Sequence, residues 1–105
     1  MLDRIGGKWT SMLVKLLASA PDEVRFSELK RGATGISQKM LAQTLRSLER
    51  DGLVTRRVEP TVPPRVHYAL TSLGRSLETA LVVVRTWAEA HMVAIDDARR
   101  AFDRR

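Results

Sequence analysis

A chain of 105 residues is long enough for one small core, and its 18 Lys and Arg against 12 Asp and Glu leave a formal charge of +6. It contains no cysteine, which excludes disulfides, thiolate metal sites and thiol redox chemistry within these residues. The start, Met1 to Trp9, has no apolar h-region, and the longest apolar run, Ala80 to Val84, is far short of a membrane span. A cytoplasmic protein is therefore expected.

Leu2, Ile5, Trp9, Met12, Leu13, Leu16 and Leu17 recur at the helix period, with Gly6-Gly7 as an interruption. The spacing predicts a first main helix over 8–18, ended by the turn at Pro21-Asp22. A short helix over 27–32 follows, capped by Ser27 or preceded by Phe26, with Phe26 and Leu29 inward. Lys30 and Arg31 fall in its last turn, where cations suit the helix dipole.

Gly32 to Gly35 makes a turn, and Ser37 caps a helix over 38–51. Leu41, Leu45 and Leu48 form a narrow apolar stripe on it. Lys39, Gln43, Arg46 and Arg50 lie nearly opposite, and Gly52 suits a left-handed C-cap position.

A hairpin is expected over 53–70. Leu53 to Val58 and Arg65 to Leu70 alternate as strands, and the three prolines in Glu59 to Pro64 belong in a stiff protruding loop. Thr71 caps a long helix over 72–95, striped by Leu73, Leu77, Leu81, Val84, Ala88, Met92 and Ile95 and widened by Val83, Trp87 and His91. At 1.5 Å per residue it would run roughly 36 Å, too long to bury a broad apolar face on so small a body. A symmetric partner chain explains the surplus. Residues 96–105 read as a frayed charged tail.

Two short helices joined by a tight turn, then a basic hairpin, outline an α+β (mainly α) winged helix-turn-helix with a long C-terminal dimerisation helix. Residues 1–105 then form a single domain. Nine of the basic residues and only four acidic ones lie between Arg25 and Arg65, so the charge excess sits on the segment that would meet a nucleic acid. Duplex DNA is the expected ligand.

Enzyme readings find little to stand on. His67 and His91 are the only histidines, no HExxH or paired-carboxylate spacing occurs, and Asp96-Asp97 sits beside Arg99-Arg100 rather than in a metal cage. No Gly-Lys-Ser/Thr follows the glycines. No metal, cofactor or catalytic residue is expected.

Several strings occur in order and at consistent spacing: Ile5-Gly-Gly-Lys-Trp9, Arg25-Phe-Ser-Glu-Leu29, Gly35-Ile-Ser-Gln-Lys-Met-Leu41, Leu45-Arg-Ser-Leu-Glu49, Asp51-Gly-Leu-Val54, Pro63-Pro-Arg-Val-His-Tyr68 and Leu70-Thr-Ser-Leu-Gly74. Together they closely resemble the HxlR family of bacterial transcriptional regulators, from about Leu2 to His91. The resemblance implies a homodimer that binds a pseudo-twofold operator and represses or activates nearby genes. Many family members that sense electrophiles or oxidants carry a cysteine just upstream of the block matching Leu2 to Trp9. This sequence has none.

On this outline the N-terminal half of the 38–51 helix enters the major groove. Ser37, Gln38 and Lys39 meet phosphate or base edges there, aided by the helix N-terminus. Gln43 is the leading base reader, since an amide can pair with adenine through two bonds, with Thr44 or Arg46 assisting. Arg50, Lys30 and Arg31 reach the backbone. Arg56, Arg57 and Arg65 flank the wing, where a minor-groove or phosphate contact competes with a salt bridge to Glu59 or simple hydration. Met40, on the flank of the leucine stripe, is expected to pack in the core or at its boundary, contact with a thymine methyl being the alternative. Lys8 could reach a phosphate near the start of the first main helix.

Trp9, Leu77, Leu81, Val84, Trp87, Ala88 and His91 are expected at the dimer interface. An effector pocket around Trp87 and His91, for a small molecule of unstated identity, is the competing reading. Two other functions stay open: a winged-helix module for protein interaction, and a sequence-blind architectural DNA-binding protein. The first predicts acidic or apolar residues on the 38–51 helix, where the sequence carries Lys39, Arg46 and Arg50.

Overall fold

The computed structural model describes residues 7–105. In chain order the elements are α1 (Lys8–Ser19), β1 (Val24–Arg25), α2 (Phe26–Gly32), α3 (Gln38–Arg50), β2 (Val54–Glu59), β3 (Arg65–Leu70), α4 (Ser72–Ala90) and α5 (Met92–Asp103). The fold is mostly helical, with a small β-wing and a long C-terminal helical segment. Leu2, Ile5 and Gly6 of the first apolar pattern lie outside the described residues.

Helix α1 turns Thr10, Leu13, Val14 and Leu17 inward, and α3 contributes Leu41, Leu45 and Leu48. The i, i+3, i+4 and i+7 spacings put each set on one helix face, so the two helices close a core with Leu29 of α2. The six largest side chains almost wholly removed from water are Leu13, Leu17, Leu29, Leu41, Leu45 and Val14. Each such burial is worth about 2 kcal/mol. Below them runs an antiparallel sheet in the order β1–β3–β2. Its register pairs Val54 with Leu70, Arg56 with Tyr68, and Val58 with Val66.

Three local arrangements differ from the sequence reading. Helix α2 starts at Phe26, with Arg25 rather than Ser27 at its N-cap; Glu28 Oε1 accepts from the Arg25 amide at 3.3 Å. Two residues, Val24 and Arg25, form a third strand against Tyr68 and His67, where no strand was expected. The expected 72–95 helix ends at Ala90. His91 leaves helical geometry (φ −113°, ψ 13°), and a second helix runs over 92–103, taking in most of the 96–105 tail that was expected to fray. At the break the His91 amide donates to the carbonyls of Trp87 and Ala88, tightening the last turn, and its ring Nδ1 donates to Trp87 O at 2.8 Å.

The C-terminal rod is tied to the body at its base. Thr71 Oγ1 accepts from the Gly74 amide at 3.1 Å, capping α4, and donates to Gly52 O at 2.7 Å. Farther along, Arg85 bonds Glu78 Oε2 at 2.6 Å and Ser11 of α1 at 3.3 Å. The molecule is 59 Å along its longest axis against 27 and 24 Å across.

Candidate nucleic-acid interface

The candidate surface is built on α3. Its inner stripe is nearly sealed, with Leu41 and Leu45 at 0% exposure, and that fixes the rotation of the helix about its axis. Gln38, Lys39, Gln43, Arg46 and Arg50 are consequently exposed. Ser37 Oγ accepts from the Met40 amide at 3.0 Å, the expected N-cap bond. That bond leaves the amides of Gln38 and Lys39 in the first turn without an intrahelical acceptor, so they are suited to an anion.

At the other end Gly52 adopts φ 77°, and the Leu53 amide donates to Leu48 O at 2.9 Å, a left-handed stop that turns the chain straight into β2. Thr44 is half-buried, and its hydroxyl donates back to Met40 O at 2.8 Å. Its hydroxyl proton is therefore committed to the helix. Met40 does not pack inward as expected. It is exposed and, with Thr10, Gln43, Thr44 and Ser47, borders a shallow depression of about 210 Å³. Lys30 and Arg31 are exposed in the last turn of α2.

The wing divides its cations into two kinds. Arg57 is committed: its Nε and Nη2 bond both carboxylate oxygens of Glu23, at 2.7 to 3.1 Å. The Arg57 guanidinium holds the Glu23 carboxyl below its ordinary value, and Glu23 raises that of Arg57. Arg56 and Arg65 are exposed and make no ion pair within 4 Å among the described residues. Glu59, the alternative partner for Arg65, is taken by His67, whose Nε2 donates to it at 3.0 Å. That bond is the main cause of a lowered Glu59 carboxyl, with smaller pulls from Arg65 and Arg57. The Glu23–Arg57 clamp escaped the sequence reading because 34 residues separate the pair; only the isolated acid after Pro21-Asp22 hinted at it.

The expected interface residues on the rod separate as well. Leu77 and Leu81 are half-buried against the protein's own core, as is Trp9. Ala88 is half-buried. Val84 and Trp87 are 60% and 56% exposed, and Trp87 stacks on the exposed His91 ring with centroids 4.6 Å apart. Lys8 is exposed, with Nζ 5.1 Å from the Trp9 ring centroid.

Among the described residues no group of three or more His, Asp or Glu could hold a metal ion. Among the same described residues, no helix is long and apolar enough to cross a membrane.

Residues 4–96 match the model of the HxlR-like helix-turn-helix family. The chain is 42% identical over 106 residues to the uncharacterized HTH-type transcriptional regulator YdeP of Bacillus subtilis, covering 98% of this chain and 81% of that one. It is 48% identical over 83 residues to another from the same organism, YkvN, covering 79% and 69%. Among solved structures, the redox regulator HypR in its reduced form superposes with a TM-score of 0.82 at 40% identity, covering 91% of this chain and 93% of that one. Fold, exposed reading helix and sequence agree: the chain belongs to the HxlR-like helix-turn-helix family of DNA-binding transcriptional regulators.

Proposed function

We propose that the protein acts in the bacterial cytoplasm as a homodimer on a pseudo-palindromic operator, with α3 in the major groove and the wing on the adjacent minor groove or backbone. The observation that carries this reading is the two-sidedness of α3. Leu41, Leu45 and Leu48 are buried while Gln38, Lys39, Gln43, Arg46 and Arg50 face outward, so the polar face is free for a groove. Gln43 reads a base edge, and Ser37, Gln38, Lys39, Thr44 and Arg46 surround it. Lys30, Arg31, Arg50, Arg56 and Arg65 hold phosphates or the minor groove.

Dimerisation is supported by the apolar residues the rod leaves in water. Val83, Val84, Trp87 and Val93 are all more than half exposed, which a lone small domain has no reason to maintain. Two copies joined along this rod present two α3 helices. Paired reading heads of this kind meet half-sites about 34 Å apart, one turn of duplex.

The test is a footprint on the DNA upstream of the protein's own gene, with affinity measured across a salt series. A symmetric protected region, a steep loss of affinity with salt and a retained preference over random duplex are expected. Salt-sensitive but sequence-blind binding would make the protein architectural. No DNA binding, with capture of another protein on α3, would make it an interaction module.

A further inference from the structure

The surfaces of α3 and the wing enclose a cleft that DNA reading alone does not account for. Residues Ala42, Arg46 and Glu49, at i, i+4 and i+7, line it from α3. Arg56 of β2 and Val66 and Tyr68 of β3 line it from the hairpin, and Phe26 closes it from the start of α2. The cleft measures about 450 Å³, within the range of small-molecule pockets. A second depression of about 230 Å³ shares Phe26 and Val66 with it and adds Arg25 and Arg65 at its rim.

The composition of this cleft is specific. Arg46, Arg56 and Glu49 line one hollow, yet none of the three is in an ion pair within 4 Å among the described residues. Elsewhere on the same surface Arg57 is paired with Glu23, and His67 is hydrogen-bonded to Glu59. The same hollow is lined by Phe26, Val66 and Tyr68, half-buried or buried. A DNA phosphate would use the two guanidiniums, gain nothing from the apolar lining and be repelled by Glu49. A flat aromatic ring fits the lining, a single carboxylate fits the guanidiniums, and a hydroxyl on the ring gives Glu49 a donor.

We propose that this cleft is an effector site for a small hydroxylated aromatic carboxylate, and that its occupation competes with DNA. The regulatory half rests on the DNA-binding reading above, because Arg46 and Arg56 serve there as contacts to DNA. A ligand holding both guanidiniums withdraws them from the duplex, and by linkage DNA weakens the ligand by the same factor.

The probes are 4-hydroxybenzoate, benzoate, methyl 4-hydroxybenzoate and inorganic phosphate, titrated calorimetrically into the DNA-free protein. Saturable binding of 4-hydroxybenzoate, with benzoate weaker and the ester and phosphate at least about tenfold weaker, is expected from the charge-assisted bonds involved. R56Q should lower its affinity at least about tenfold, and E49Q should abolish the preference for the hydroxyl. Both side chains are exposed, and circular dichroism of the variants checks that they fold. F26L, which keeps both charges, should weaken the aromatic acids and leave phosphate unchanged. Saturating 4-hydroxybenzoate should weaken binding to the footprinted DNA at least about tenfold.

Absence of saturable binding, or phosphate binding as well as the aromatic acid, overturns the site. Binding without any effect on DNA affinity overturns the competition. Ligand binding by a protein that binds no DNA sinks the operator reading and leaves the site standing.

Discussion

Gly74 lies directly against the carbonyl of Leu53: a Cβ built at Gly74 would overlap Leu53 O and press on a methyl of Leu70. The contact joins the first turn of α4 to the residue after the α3 stop, so the rod meets the link between α3 and β2 with only a hydrogen atom between them. Backbone cannot move aside as a flexible side chain can. G74A is expected to destabilise the protein by about 3 kcal/mol, seen as a lowered midpoint in thermal or urea unfolding.

Thr71 reinforces the same junction with one hydroxyl in two roles, cap acceptor for Gly74 and donor to Gly52 O. T71A should cost about 1–2 kcal/mol, while T71S should retain most of the stability. Equal losses for both variants in denaturant titrations would mean that the methyl, not the hydroxyl, matters.

Leu45 anchors α3 from beneath with no exposed surface. L45A should cost about 3 kcal/mol through lost burial and a residual cavity. Because Leu45 also sets the rotation of the helix, DNA affinity should fall even where circular dichroism shows the variant folded.

Gln43 and Arg65 divide the labour in the proposed complex. Q43A is expected to change the ranking of operator variants at about one base position, by about 1–3 kcal/mol. R65A should lower affinity for all duplexes alike and flatten the salt dependence by about one unit of slope. Competition titrations against a panel of single-base operator variants separate the two.

Acid should loosen the wing. Glu23 and Glu59 both have carboxyls held below their ordinary value, by Arg57 and by His67 respectively. Their contribution is fully present above the ordinary carboxylate range and is lost as pH falls through the depressed values. Amide exchange in β2 and β3, compared with α1 and α3, should accelerate over that window. E23Q should remove part of the pH dependence.

Much of this architecture could be read from the chain because its signals are local. Ser37, the Leu41–Leu45–Leu48 stripe and Gly52 specify a start, a face and an end within one short stretch, and the observed α3 follows them to the residue before the expected stop. The prolines between β2 and β3 likewise mark the wing loop. What escaped depends on remote partners or on competition between nearly equal local states. Val24 and Arg25 are too short for alternation to register, and become a strand only because Tyr68 and His67 offer a free edge. Residues 88–95 contain no glycine or proline, so a continuous helix is the natural reading; the break at His91 leaves no such mark in the sequence. Leu77 and Leu81 share a stripe with Val84, yet only tertiary placement tells which leucines the core has already claimed.

The helix beyond His91 has twelve residues and buries none of them. An isolated segment of that length is marginal in water, so intrinsic propensity alone does not sustain it. In the proposed dimer its helical content becomes a gauge of association: dilution that separates two copies should melt this arm first, while the body with its sealed leucines stays folded.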